Sequence, residues 1–279
     1  MASPSPTVGQ RRLARALRRL RADAGLTIEQ VAEKLELSPS TISRMETATV
    51  GVKRRDVREL LNIYEVSGAQ REDLLQLATQ SRKRPWWHDY KIPQAREAGL
   101  EAEAATISQY SALLVPGLLQ TEAYARAVLD AIRIDPKPDE IESRHRLRMD
   151  RQGLLTEKDA PRYWVVLDEA LLRRPVGGST TMQAQVEHLV KVAALPSVTI
   201  QVLPYSTGAH AGMDGEFTIF SYRDPADPDV VYIENTGGDQ YVEDADVTSR
   251  YVAIFEHLRD AALNPAESTR TLATIASEL

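Results

Sequence analysis

Apolar positions recur at helical spacing through the first third of the chain. Between residues 10 and 24, Leu13, Leu17 and Leu20 form a stripe ringed by Arg11, Arg12, Arg15, Arg18, Arg19 and Arg21. That pattern predicts an amphipathic basic helix, and Gly25 is placed to end it in a left-handed turn. Val31, Ala32 and Leu35 repeat the spacing, then Ile42 and Met45, then Val57, Leu60, Leu61 and Tyr64, then Leu74, Leu75, Leu77 and Ala78. Five short helices therefore pack about one small core.

The second and third of these helices lie in TIEQVAEKLELSPSTISRMET, residues 27–47. Thr27 and Gln30 have capping-box spacing. Glu36 and Leu37 form the turn. Ser38 caps the next helix and Pro39 occupies its first position, where a missing N–H costs nothing. With Ile42 and Met45 turned inward, Ser40, Thr41, Ser43, Arg44 and Thr47 face out. Short hydroxyl side chains let a helix backbone approach a DNA major groove, and an arginine can fork onto a guanine or hold a phosphate. Lys53, Arg54 and Arg55 precede the fourth helix and suit phosphate binding. The expected DNA-contacting set is Thr27, Gln30, Ser38, Ser40, Thr41, Ser43, Arg44, Thr47, Lys53, Arg54 and Arg55, with further phosphate contacts from the arginines of the first helix.

Beyond SRKRPWW, where Pro85 breaks the helix, the pattern changes. Residues 97–112 read as helical by composition. A turn at Pro116-Gly117 leads to a helix from a Thr121 cap to Ile132, and another spans Pro138 to Leu155. YWVVLD is a strand. A helix over 181–195 buries Met182, Val186, Leu189, Val190 and Ala193. Strands follow at 198–204, 216–222 and 230–235, with a short one at DQYV. A helix over 246–263 buries Val247, Tyr251, Ile254, Phe255 and Leu258, and the last covers 268–279. This predicts an α+β protein: an all-α five-helix domain over 10–84, then a larger α+β domain over 85–279 with a small, mainly antiparallel sheet and flanking helices. Residues 1–9 are expected to be a disordered tail.

Charge is divided unevenly along the chain. The 279-residue chain carries a net −6, but residues 1–84 hold 16 Lys/Arg against 10 Asp/Glu, a net +6, and residues 85–279 hold 18 against 30, a net −12. A basic reading head on an acidic body fits a nucleic-acid binder with a regulatory part. The absence of cysteine excludes disulfides, thiolate metal sites and a cysteine nucleophile, and fits a reducing compartment. No apolar run reaches membrane-spanning length, so the expectation is a cytoplasmic, nucleoid-associated protein without membrane contact.

LTIEQVAEKLELSPSTISRMET resembles the Cro/repressor-type (XRE) helix-turn-helix, over about residues 10–67. Two positions depart from the family pattern: Ile28 stands where a phosphate-holding Gln is usual, and Glu36 where Gly is usual. WWHDY, VPGLLQTEAYARAVL, RHRLRMDRQ, LDEALLRRPVGG, VTIQVLP, GMDGEFTIF and VVYIEN together resemble a domain of unknown function that follows the helix-turn-helix in many actinobacterial regulators. That resemblance implies an antitoxin-like regulator paired with a short partner protein.

The second part holds no GxGxxG, P-loop, GxSxG or HExxH motif. His210, Asp214 and Glu216 in GAHAGMDGEF have a spacing open to a metal or an acid–base pair, though glycines at 208, 212 and 215 favour a flexible, solvated turn. The arginines 144, 146, 148 and 151 are open to ion pairing or to an anionic ligand. No catalytic, metal or cofactor site is expected. The function read from the sequence is a DNA-binding transcription regulator that dimerises on a pseudo-palindromic operator and binds a short partner protein through its acidic body. A small-molecule-sensing body is the alternative.

Overall fold

A computed structural model describes residues 7–81, 86–90, 92, 95–132, 138–224, 227–235 and 238–279. Most of the expected tail, residues 1–6, lies outside this set, as do Arg82–Pro85. The chain divides into two compact units, residues 1–91 and 92–279.

The first unit holds α1 (Val8–Asp23), α2 (Ile28–Lys34), α3 (Pro39–Glu46), α4 (Arg54–Ile63) and α5 (Gly68–Gln80). The first helix begins earlier than the expected tail allowed. Thr7 caps it in a reciprocal box with Gln10, and the Gln10 amide donates to the Ser81 carbonyl at the end of α5. The capping energy and this tie to α5 draw residues 7–9 into the fold. Leu13, Leu17, Val31, Ala32, Ile42, Val57, Leu60, Leu61 and Ala78 are almost fully buried in one core.

Four of these helices close with the same device. Gly25, Glu36, Ala48 and Glu65 each take a positive φ just past the helix end. The amides one step further on, Leu26, Leu37, Thr49 and Val66, bond back to the carbonyls of Arg21, Ala32, Arg44 and Leu61. These are Schellman ends, which satisfy carbonyls that a helix terminus leaves open. Only Gly25 adopts that backbone without a Cβ penalty, so the turn between α2 and α3 carries strain at Glu36.

The second unit contains α6 (Ala95–Glu103), β1 (Thr106–Ser111), α7 (Glu122–Ile132), α8 (Pro138–Gln152), β2 (Arg162–Asp168), α9 (Glu169–Arg173), α10 (Ser179–Val192), β3 (Val198–Leu203), β4 (Phe217–Ser221), β5 (Val230–Ile233), β6 (Gln240–Val242), α11 (Ala245–Ala261) and α12 (Pro265–Glu278). Six strands form one sheet in the order β3-β2-β1-β4-β5-β6. Strands β1, β2 and β3 run parallel, and β4, β5 and β6 continue antiparallel. The α+β class stands, with antiparallel pairings in the majority.

The helix expected over 97–112 is corrected. α6 stops at Glu103, and residues 106–111 form β1, a central strand hydrogen-bonded on both edges. Alanine-rich local preference gives way to the two ladders and to burial of Ile107 and Tyr110. On α11 the buried position is Thr248, and Val247 is 36% exposed, so that expectation shifts by one residue. Thr121 does cap α7, accepting the Tyr124 amide at 3.3 Å.

The free edge of β3 is covered: Val202 donates its amide to Ser268 Oγ at 2.9 Å and accepts from the Leu263 amide. This blocks strand addition there. The PGLLQT segment is held by amide side chains, with Gln185 on Leu119 and Thr121, Gln152 on Gly117 and Gln120, and Gln120 on Val115. Arg151 is buried between Glu97 and Glu101, Arg144 pairs with Glu140, and Arg148 donates to Gln120. Three of the four arginines on α8 thus serve internal bonds, and Arg146 is exposed. No helix among the described residues is long and apolar enough to cross a membrane.

Candidate nucleic-acid interface

α2 and α3 meet through a tight turn and share the core of the first unit. Thr27 caps α2: its hydroxyl accepts the Gln30 amide at 3.3 Å, and the Gln30 side-chain oxygen accepts the Thr27 amide at 2.9 Å. Gln30 is exposed and keeps its NH2 donors for an outside acceptor. Ile28 packs against the core.

On α3, Ile42 and Met45 are buried, while Ser38, Ser40, Arg44 and Thr47 are exposed and Thr41 and Ser43 are partly so. Ser38 Oγ accepts the Thr41 amide at 3.2 Å and lies 3.0 Å from Ser40 Oγ and 2.8 Å from Thr41 Oγ1. Three hydroxyls therefore cluster at the start of the helix. Arg44 lies back along the same face, with Nε 3.3 Å from the Ser40 carbonyl and Nη2 3.4 Å from Thr41 Oγ1. These bonds are long and exposed, so a base edge or phosphate can replace them cheaply. Thr47 donates to the Ser43 carbonyl at 2.9 Å, which commits its proton to the helix end.

Lys53, Arg54 and Arg55 are exposed at the start of α4, where Lys53 occupies the cap position without a side-chain cap bond. The Arg55–Asp56 pair at 3.3 Å, with the arginine 82% exposed, is too solvated to hold Arg55 back. On α1, Arg18 and Arg19 are exposed.

Arg21 is different. Its Nε and Nη2 donate to the two oxygens of Glu46 at 2.7 and 2.9 Å, and Nη1 donates to the Leu26 carbonyl at 2.9 Å. Both side chains are largely buried. The Glu46 hydrogen bonds raise the Arg21 pKa above its ordinary value. Burial raises that of Tyr64, whose hydroxyl has no partner among the described residues. Arg21 is thus withdrawn from the expected phosphate contacts. It ties α1 to the last turn of α3 and fixes the outward face. The sequence carries a signal for this: Arg21 follows Leu13, Leu17 and Leu20 on one stripe, and Glu46 lies four residues beyond Ile42.

The GAHAGMDGEF loop of the second unit is not the solvated turn expected from its glycines. Glu216 Oε1 accepts the amides of Ala112 and Leu113 at 2.6 and 2.5 Å, and His210 Nε2 lies 3.5 Å from Asp168. Asp214 is exposed and stands outside this arrangement. Burial raises the Glu216 pKa, against the lowering effect of the amides it accepts from. No group of His, Asp and Glu among the described residues is placed to hold a metal ion.

Comparison with known proteins agrees with this division. Residues 12–74 match a helix-turn-helix domain family, and the described geometry of α2 and α3 is that of the motif. Residues 94–274 match a family described as a domain of unknown function, DUF5753. Neither a curated protein nor a solved structure matches the chain. With more than half its length in that match and a helix-turn-helix domain before it, the chain belongs to the DUF5753 family and is a helix-turn-helix, DNA-binding regulator.

Proposed function

We propose that the protein is a sequence-specific transcription regulator of the Cro/repressor (XRE) type that acts as a homodimer on the cytoplasmic nucleoid. The observation that carries this is the outward face of α3: three clustered hydroxyls and Arg44, free of large apolar groups, on a helix fixed from behind by Ile42, Met45 and Glu46. Ser38, Ser40, Thr41, Ser43 and Arg44 enter the major groove. Thr27, Gln30, Lys53, Arg54 and Arg55 hold backbone phosphates and set the register, and Thr47, whose hydroxyl donates to the Ser43 carbonyl, lines the same face. One such helix touches too few bases for specificity, so two copies read half-sites about one helical turn apart.

The second unit binds a short partner protein, as in the antitoxin-like pairs of actinobacterial regulators, and the partner changes how the two heads are spaced. The net −12 of residues 85–279 supports this reading, because an acidic body is repelled by DNA and left free for another ligand. Selection of bound duplexes from a randomised pool tests the proposal. The expected outcome is a pseudo-palindrome with half-site centres about 10 base pairs apart. A pool that acquires no motif, or a single unpaired half-site, refutes it.

A further inference from the structure

Strands β1, β2 and β3 are parallel, so their C-terminal ends emerge at one end of the sheet, where antiparallel β4 begins. The segments leaving that end, residues 112–115, 168–169 and 204–216, are tied to one another. Asp168 accepts the Ala170 amide at 2.8 Å through Oδ1, and the Tyr110 hydroxyl at 3.4 Å through Oδ2, which also faces His210. His210 Nδ1 accepts the Gly212 amide at 3.2 Å. Gly212 sits on the Tyr110 ring so closely that a Cβ there would fall 2.5 Å from a ring carbon. Glu216 accepts amides from the β1 loop, and Glu169 Oε2 accepts the Tyr205 amide at 3.0 Å. Apart from the exposed Asp214, the carboxylates and the imidazole of this end are thus directed at its own backbone and at each other. They brace the loops and leave no convergent set of polar groups for a small polar ligand.

Leu113, Tyr205 and Met213 project from that braced frame, 61%, 59% and 69% exposed, and they are the three most exposed large apolar side chains among the described residues. Apolar groups held in water on a rigid support mark an interaction surface, because burying them gains free energy and little ordering is left to do. The same segments carry Asp168, Glu169, Asp214 and Glu216 and no Lys or Arg. The nearby Arg173 is engaged by Glu169 and Glu278. A second copy of this end would set carboxylates against carboxylates, and nucleic acid would be repelled. We propose that this loop end is the docking surface for a basic, amphipathic segment of the partner protein, its apolar side chains meeting Leu113, Tyr205 and Met213 and its cations drawn by the exposed Asp214 and by the net negative charge of these loops. The inference rests on the partner-binding reading above and gives that partner a chemistry and a place.

The test uses the full chain, immobilised and panned with a displayed library of random short peptides, beside the triple variant Leu113→Ser, Tyr205→Ser, Met213→Ser. All three positions are exposed, so the fold is kept, which circular dichroism and duplex binding check. Enriched peptides should combine net positive charge with large apolar residues. Synthesised, they should bind the triple variant about tenfold more weakly or worse, and bind the natural chain less tightly as salt rises. Three outcomes overturn the proposal: enriched peptides without positive charge, equal binding to both chains, or no enrichment. A self-associated natural chain that the triple variant dissociates also overturns it, in favour of a contact between copies. Loss of duplex binding by both chains would instead defeat the DNA-binding reading and leave the peptide result standing.

Discussion

Replacing Glu46 by Gln keeps the volume of the side chain and removes its charge. The Arg21 guanidinium, 15% exposed at the side chain, is then left with a neutral amide and the Leu26 carbonyl. Breaking a buried pair from one side costs about 3–5 kcal/mol, because a charge stays desolvated without its counter-charge. The residual exposure of Arg21 and its bond to Leu26 put this case near the lower limit, about 3 kcal/mol. The lost pair joins α1 to α3, so the loss should appear in the first unit, as faster hydrogen exchange of the amides of both helices in the full chain. The double variant Arg21→Met, Glu46→Leu should recover most of it, since an apolar pair of similar volume pays no desolvation. Duplex affinity should follow the same order. A loss under about 1 kcal/mol for Glu46→Gln would show that the pair behaves as an exposed one and does not hold α1 to α3. A double variant no better than the single one would show that the loss does not come from the unpaired charge.

Other outcomes follow from the same geometry. Arg44→Ala should cost about 1–3 kcal/mol on a selected duplex and relax discrimination at one base pair; uniform weakening over all duplexes would assign Arg44 to phosphate instead. Arg54→Ala with Arg55→Ala should reduce the slope of log affinity against log salt by about 2 per protomer without altering the preferred site. Glu36→Gly, at φ 53°, should stabilise the first unit by about 0.5–1 kcal/mol in urea unfolding, the relief of the left-handed backbone less the added freedom of the unfolded chain. The raised pKa of Glu216 means that the folded state keeps a proton the unfolded state has lost. Between its ordinary value of 4.5 and the raised folded value, stability should therefore increase as pH falls, and Glu216→Gln should remove that part of the pH dependence.

The first unit was legible because its information is local. Leucine spacing, Thr27 and Ser38 as caps, Pro39 at a helix start and Gly25 at an end are each a choice made within a few residues, and α1 to α5 follow them. What was not legible is settled across the fold. Thr106–Ser111 follows an alanine-rich helix, and only β2 and β4 on either side make it a strand. Arg21 continues the leucine stripe of α1, but its partner Glu46, 25 residues on, is set only by the packing of α1 against α3. The glycines of the 208–215 loop suggested mobility, yet Gly212 is needed for close approach to Tyr110, and Glu216 reaches 104 residues back in the chain to Ala112.

The outward face of α3 reads base sequence if the chain discriminates between duplexes through its side chains. Equilibrium binding of the full chain to its selected duplex, in competition with random duplex at fixed salt, measures this directly. The preference should be at least about a thousandfold and should fall toward unity when Ser40, Thr41 and Arg44 are replaced by Ala. Equal affinity for selected and random duplex by the natural chain would contradict it.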